Sequence, residues 1–234
     1  MRVAVIQHSA TSGAAALERW FAEHRVSWHR LHAGGPLPSL DEFELLVLLG
    51  GSLSVHDERQ HAWLAQEKRL IHQALLARKR VFGTGFGARL LAEALGARVS
   101  PCTDGVRIGW WQLEKNPQSR QSPLGRMLPQ RLLALHWQRE SCSLPHGAIA
   151  LYGSNAGELQ GFVWQERALG LLCQLECDAQ SLDERLRHDG ADLLLPGEVQ
   201  DRASIRDAAP HSASANATLV RVLDYLSGAH AHMT

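Results

Sequence analysis

The chain has few cysteines, no net charge and no long apolar run. Its four cysteines lack the regular spacing of a disulfide framework, which is typical of proteins in a reducing cytoplasm. The 24 basic and 24 acidic side chains cancel, so the composition argues against binding to nucleic acid or to an anionic membrane. No apolar segment approaches the roughly 18–20 residues of a membrane helix, and the opening MRVAVIQHSA lacks the pattern of a secretory signal. We therefore expect a cytoplasmic protein with no membrane and no nucleic-acid partner.

The composition is otherwise that of a folded domain. Apolar residues make up 45% of the 234 positions and charged residues 21%, which is enough to build a sizeable core and to exclude general disorder. A chain of this length is too short for two full enzyme domains. Because it has no internal repeat and no linker-like segment, we expect one large domain with, at most, an added tail.

Short apolar segments alternate with longer amphipathic ones over the first hundred residues. This βαβ pattern predicts a parallel sheet with helices on both faces. The predicted strands of this half are 2–7, 27–31, 44–49 and 80–83, and its predicted helices are 13–24, 61–78 and 86–95. Later strands are predicted at 105–113, 131–137, 148–154, 161–164 and 168–174, helices at 178–188 and 216–227, and an irregular connection at 190–210. The fold class is α/β: a three-layer αβα sandwich with a mainly parallel central sheet and additional antiparallel strands.

The sharpest local motif is the run GTGFG at residues 83–87, which leads from a predicted buried strand directly into a helix. A G-x-Nu-x-G run of this kind builds a nucleophile elbow, in which the central side chain stands at the N-terminus of the helix. In this chain the central residue is Gly85, which has no side chain. A dinucleotide-binding motif would need its third glycine at residue 88, where the chain has Ala88, and a plain strand-to-helix turn also fits the run.

Five other segments accompany this turn in a fixed order. They are VIQH at 5–8, LLGGSLSVHDE at 48–58, IGW at 108–110, LHW at 135–137 and ALGL at 168–171. Together with the elbow segment at 82–91, they resemble the class I glutamine amidotransferases, especially the stand-alone proteins similar to the glutaminase domain of GMP synthase. The resemblance implies the flavodoxin-like fold of that family over residues 1–188. Residues 189–234 are expected to form an irregular connection and a C-terminal helix that packs on the same domain.

The resemblance also implies where a catalytic triad would lie. In that family a cysteine on the elbow attacks the side-chain amide of glutamine. A histidine and a glutamate, in a later His-Pro-Glu run, move the proton and orient the imidazole. The cysteine position is Gly85 here and the histidine position is Gln174. Only Glu176 is retained, and Leu175 replaces the proline. Since loss of a nucleophile or base costs on the order of 10⁶ in rate in a hydrolase where it was measured, this degenerate triad predicts a protein without glutaminase activity.

Four more positions correspond to the pocket of the family. The backbone N–H groups of Gly51 and Phe86 correspond to an oxyanion hole. Arg89 stands where the family commonly has a glutamine, and His136 lies on a strand that lines the pocket side. Because Arg89 adds positive charge beside the free N–H groups of a helix N-terminus, we hypothesise that the vacated pocket binds a small anion or carboxylate.

None of the four cysteines is expected to replace the missing nucleophile. Cys173 is adjacent to Gln174 on a predicted strand, so its side chain should point to the opposite face and into the core. Cys102, Cys142 and Cys177 have no neighbour in the sequence that would activate a thiol.

The histidines are not spaced as metal ligands. His56 and His61 belong to the loop that follows the Gly-Gly pair, without the order of residues of a zinc-binding helix. His230 and His232 form an H-x-H run near the end of the chain, which would bind metal only weakly. We therefore predict no metal site and no cofactor.

The sequence thus predicts a glutamine amidotransferase-like protein that is inactive as a glutaminase and has a binding or regulatory role. Its expected partners are a small molecule, either glutamine-like or an anion, and a second copy of the chain. The alternative is an active amidotransferase or γ-glutamyl hydrolase, which would act on glutamine or a γ-glutamyl compound through groups that the sequence does not identify.

Overall fold

The first hundred residues form a parallel βαβ arrangement in a computed structural model that describes residues 1–154 and 157–228. The elements are β1 (Arg2–Gln7), α1 (Leu17–Phe21), β2 (Arg25–Arg30), β3 (Leu45–Leu48), α2 (Ala62–Leu76), β4 (Arg80–Thr84) and α3 (Phe86–Ala94). The four strands pair in parallel in the order β2-β1-β3-β4. Helix α1 is shorter than predicted, because Ala15 has a positive φ of 47° that keeps the preceding residues out of the helix.

The second half of the chain adds antiparallel strands to this sheet. Its strands are β5 (Val99–Pro101), β6 (Val106–Lys115), β7 (Arg131–Gln138), β8 (Glu140–Cys142), β9 (Ala148–Gly153), β10 (Leu159–Trp164), β11 (Ala168–Leu171) and β12 (Gly197–Val199). Its helices are α4 (Pro123–Met127), α5 (Ala179–His188), α6 (Arg202–Asp207) and α7 (Ser212–Ser227). Strands β9, β10 and β11 form an antiparallel ladder, and β11 joins β4 in parallel.

The described residues build a ten-stranded mixed sheet. Its main path is β12-β6-β9-β10-β11-β4-β3-β1-β2, with β7 paired to β6, while β5 and β8 form a separate two-stranded pair. Along β1, Val3 and Val5 belong to one core cluster and Ala4 and Ile6 to another. Helices α1 and α7 contribute to the first cluster, and α2 and α3 contribute to the second. The sheet is therefore covered on both faces, and the predicted three-layer fold class is confirmed.

The segment predicted as an irregular connection contains two regular elements, so that prediction was wrong in part. Strand β12 pairs in parallel with β6. Helix α6 buries Ile205 in a third apolar cluster, with Leu182 and Leu186 of α5. Elements of 3 and 6 residues are too short to show a hydrophobic period in the sequence.

Helix α7 packs on the same body as the elements before it. Leu219 and Leu223 lie in the first core cluster, and the indole N–H of Trp20 donates to Oδ1 of Asp224 at 2.9 Å. Over the described part of the chain, no helix is both long enough and apolar enough to cross a bilayer.

Candidate functional site

The elbow is built by backbone packing. Strand β4 ends at Thr84 and α3 begins at Phe86, with Gly85 between them at φ 53° and ψ −113°. A Cβ on Gly87 would lie 2.2 Å from the carbonyl oxygen of Leu48, so the backbones approach too closely for any side chain there. At Gly85 the space is larger, because an added Cβ would meet its nearest atom at 3.6 Å. Packing therefore permits a side chain at the central position, although its left-handed φ disfavours one.

Gln174 lies directly opposite the elbow. Its backbone N–H donates to the carbonyl of Leu135 at 2.8 Å, which fixes the chain just beyond β11 against β7. Its side-chain Nε2 would lie 3.8 Å from a Cβ at Gly85. The structure therefore brings these two positions together as a nucleophile and a base would be. A side-chain amide, however, cannot accept a thiol proton near neutral pH.

Glu176 is held by the strand that ends at the elbow. The hydroxyl of Thr84 lies 3.0 Å and 2.9 Å from its two carboxyl oxygens and can donate to either. Burial raises the pKa of Glu176 to about 7, although its hydrogen bonds and the nearby Arg185 act in the opposite direction. The retained carboxyl group thus anchors Thr84 and is shared between protonated and ionised forms near neutral pH.

The Gly-Gly loop (residues 49–57) packs on the first turn of α3. A Cβ added at Gly51 would lie 3.3 Å from the Cβ of His8 and 3.6 Å from Cδ1 of Phe86. The two backbone segments that the resemblance assigns to an oxyanion hole are therefore adjacent in space. Backbone N–H groups survive side-chain substitution, so this part of the site does not depend on residue identity.

A buried pair that the sequence analysis missed supports this loop. The ring of His8 donates through Nδ1 to the carbonyl of Leu49 at 2.9 Å, and its Nε2 lies 2.8 Å from Oε1 of Glu67. Both side chains are fully buried. Glu67 stands on the inward face of α2, three residues after the buried Leu64, and an acidic residue in that position is the signal that could have revealed the pair.

Arg89 is already paired inside the protein. Its guanidinium Nε lies 3.2 Å from Oε2 of Glu140, and its Nη2 donates to the carbonyl of Leu53 at 3.3 Å. Glu140 also accepts a hydrogen bond from the hydroxyl of Ser54 at 2.5 Å. Because the charge of Arg89 is compensated by a buried carboxylate, an anion bound at this residue would have to displace Glu140.

His136 does not lie where the sequence analysis expected it. It faces Gly109 across the β6–β7 ladder and is fully buried, and neither ring nitrogen has a hydrogen-bond partner among the described residues. Burial lowers the pKa of His136 to about 3, so the ring is neutral at physiological pH. Its neighbour Trp137 lines the cavity beside the elbow instead, because side chains alternate along a strand.

That cavity has a volume of about 330 Å³. It lies between the Gly-Gly loop, the segment 137–140 and α5. Its charged lining residues are three arginines and three acids, namely Arg89, Arg139, Arg185, Asp57, Glu140 and Asp192. Arg139 and Asp192 form an ion pair, and the indole N–H of Trp137 donates to the same aspartate at 2.9 Å. The lining of the cavity therefore carries many charged side chains, but their net charge is close to zero.

A much smaller space lies beside Gln174 and Glu176, next to the elbow. It measures about 30 Å³ and is lined by residues that include Gly50, Gln174 and Glu176. A space of this size holds about one water molecule. Arg185 lines both this space and the larger cavity, so its side chain stands between the two.

The cysteines offer no thiolate to the site. Cys173 is fully buried in the core, as predicted, and burial raises the pKa of its thiol. Burial likewise raises the pKa of Cys142 and Cys177 to about 12 and that of Cys102 to about 11. These thiols are protonated at neutral pH and are poor nucleophiles.

Among the residues in the ranges 1–154 and 157–228, no group of histidine, cysteine and acidic side chains is arranged to hold a metal ion. His56 follows the Gly-Gly pair and its Nε2 lies 3.3 Å from the carbonyl oxygen of Val99. The H-x-H run at His230 and His232 lies outside the described residues.

Comparison with known proteins finds a relative that matches this chain over nearly its full length. No family model matches the chain. The chain is 30% identical over 241 residues to the glutamine amidotransferase-like protein YfeJ of Salmonella typhimurium, covering 98% of this chain and 99% of that protein. Over 60 residues, 26% of this chain and 29% of the relative, it is 35% identical to the glutamine amidotransferase-like protein L716 of Acanthamoeba polyphaga mimivirus.

Two solved structures are similar to almost the whole of this chain. A glutamine amidotransferase from Thermotoga maritima is 26% identical and superposes with a TM-score of 0.87 over 97% of both chains. A glutamine amidotransferase from Methylobacillus flagellatus, at 23% identity, has a TM-score of 0.88 over 97% of this chain and 94% of that chain. The second likeness concerns the fold alone.

Proposed function

The chain belongs to the class I glutamine amidotransferase-like family, and from this premise we propose that it is a binding or regulatory protein that does not hydrolyse glutamine. The observation that carries the proposal is the pair Gly85 and Gln174. At the elbow, a hydrogen atom and a neutral amide face each other where the reaction needs a thiolate and an imidazole. The remaining carboxyl group of Glu176 can orient a base but cannot replace one that is absent.

The two spaces beside the elbow support the same proposal. The space lined by Gly50, Gln174 and Glu176 holds about one water molecule, so it is not the part of the site with room for a ligand. The cavity of about 330 Å³ is within the range of small-molecule sites. Its charges of both signs suit a polar ligand of amino-acid size, so the protein keeps a binding site next to an elbow without catalytic side chains.

A second candidate function rests on Glu176. A buried carboxyl group with a pKa of about 7 is suited to general-base catalysis near neutral pH. It could activate a water molecule for hydrolysis of glutamine or a γ-glutamyl compound. This candidate is disfavoured because both oxygens of the carboxyl group already have a neighbour: the hydroxyl of Thr84 lies within hydrogen-bond distance of each.

Ammonia release from L-glutamine by the purified protein tests the proposal. We expect the wild-type protein and a Gly85→Ala variant to give the same rate as buffer alone. Activity of the wild type above that of the variant would contradict the proposal. Activity that is lost on Glu176→Gln would favour the second candidate.

Two further expectations are part of the proposal. The four cysteines are free thiols, which is in keeping with a cytoplasmic location. Self-association is expected from the sequence analysis, and sedimentation of the purified protein at several concentrations tests it. A single species of monomer mass at all concentrations would contradict that expectation.

A further inference from the structure

Arg185 is a buried cation between the two spaces of the site. It lies on the inward face of α5, beside Leu186, and only 9% of its surface is exposed. Its guanidinium lies 4.8 Å from the ring centroid of Trp137, a distance at which a cation is attracted to the face of an indole. The position is therefore defined by packing, and the charged group is held at the boundary of the cavity.

The hydrogen-bonding capacity of this guanidinium is almost unused. Within the described residues, Arg185 forms one ion pair, with Asp189, in which Nε lies 3.5 Å from Oδ2. The Nε atom itself is enclosed and has no hydrogen-bond partner there. Buried guanidinium groups normally have their N–H donors satisfied, so the acceptor for this Nε comes from outside the chain, as a water molecule or as a bound ligand.

The other two arginines of the cavity are compensated. Arg89 is paired with Glu140, and Arg139 is paired with Asp192. The remaining carboxylate of the lining, Asp57, accepts a hydrogen bond from the backbone N–H of Ser54 at 2.8 Å. Of the three, Arg185 has the most distant carboxylate partner, and its side chain donates no hydrogen bond within the described residues, so its donors are the most available to a bound molecule.

We propose that Arg185 binds a carboxylate group of a small ligand in the cavity, with Trp137 holding the guanidinium in place. The inference rests on the proposed function, because it assigns the ligand of a site that binds without reacting. A planar guanidinium matches the two oxygens of a carboxylate. Acidic groups near Arg185, namely Asp189, Asp192 and Glu176, disfavour a doubly charged phosphate at the same place.

Isothermal titration calorimetry with matched probes tests the assignment. The probes are glutarate, its neutral diamide and inorganic phosphate, at low ionic strength. We expect glutarate to bind the wild-type protein, the diamide to bind much more weakly, and phosphate to bind more weakly than glutarate. Arg185→Met removes the charge but keeps an apolar side chain on Trp137, and it should weaken glutarate binding about tenfold or more.

The matched control is Arg187→Met, which removes an exposed arginine from the same helix and should leave glutarate binding unchanged. Arg185→Lys keeps the charge without the planar fork, so it should bind glutarate with intermediate affinity. It also provides the decisive comparison if Arg185→Met does not fold.

The assignment would be overturned if both Arg185 variants bound glutarate with wild-type affinity. It would also be overturned if the wild-type protein bound phosphate more tightly than glutarate, or did not bind glutarate at millimolar concentrations. These readouts are independent of ammonia release. Failure of glutarate to bind therefore does not contradict the proposed loss of activity. Ammonia release by the wild type, in turn, does not contradict the binding of a carboxylate by Arg185.

Discussion

The elbow and the neighbouring cavity differ in what fixes their structure. At the elbow, close backbone contacts determine the turn. Gly85 and Gln174 occupy the positions that the family resemblance assigns to the catalytic cysteine and histidine. In the cavity, long charged side chains meet across three segments of the chain, as in the pair of Arg89 and Glu140. A turn that is imposed by packing does not depend on the side chain at its centre, whereas a charged cavity depends on the side chains that line it.

Removing a charge from the cavity should have the largest effect on stability. Arg89→Met leaves the nearly buried Glu140 without its cation, and breaking such a buried pair costs about 3–5 kcal/mol of unfolding free energy. Urea unfolding measures the change. Arg69→Met, at an exposed position of α2, is the control. An equal loss for the two variants would mean that the cavity does not depend on its ion pairs.

The carboxyl group of Glu176, beside the elbow, should make the stability of the protein depend on pH. The pKa of Glu176 is raised from 4.5 to about 7, so the folded protein keeps a proton that the unfolded chain has already released. This group therefore destabilises the folded state increasingly as the pH rises from 4.5 to 7, by roughly 3 kcal/mol in total.

Unfolding free energies of the wild type and Glu176→Gln across this pH range measure the effect. The difference between the two proteins should change with pH, while Glu23→Gln, at an exposed position after α1, should give a constant difference. Parallel pH profiles for the wild type and Glu176→Gln would show that the carboxyl group is solvated as in the unfolded chain.

Adding one methyl group at different positions of the elbow tests the role of packing there, with effects of at most about 3 kcal/mol. Gly87→Ala places a Cβ against the backbone of Leu48 and should cost about 3 kcal/mol. Gly85→Ala meets only ordinary contacts and should cost about 1–2 kcal/mol for its left-handed φ. The unfolding midpoints in urea distinguish them, and the reverse order would contradict a turn that packing imposes.

The sequence predicted those parts of the molecule that depend on local pattern. The apolar run at 44–49 indicated a strand buried on both faces, and Leu45–Leu48 is such a strand. The glycines at 83–87 indicated the elbow, because close backbone approach leaves a pattern of glycine in the sequence. The position opposite it, Gln174, came from the family resemblance rather than from the pattern.

Contacts between distant segments could not be predicted in this way. Arg89 was expected to help bind a small anion, but its charge is paired with Glu140 on β8, and the meeting of the two depends on the whole fold. His136 was expected at the pocket, yet the alternation of β7 turns Trp137 toward it instead. Arg185, on the inward face of α5 beside Leu186, was a visible exception to the apolar pattern and could have been noticed.

The decisive measurement is ammonia release from L-glutamine by four proteins: the wild type, Gly85→Cys, Gln174→His and the double variant. The structure has room for a side chain at Gly85 facing position 174, so we expect a small but measurable rate for the double variant. We expect no rate above buffer for the other three, because a thiol without a base and a base without a thiol both leave the reaction uncatalysed. Ammonia release above buffer by the wild type or by Gly85→Cys would contradict the proposed loss of catalysis.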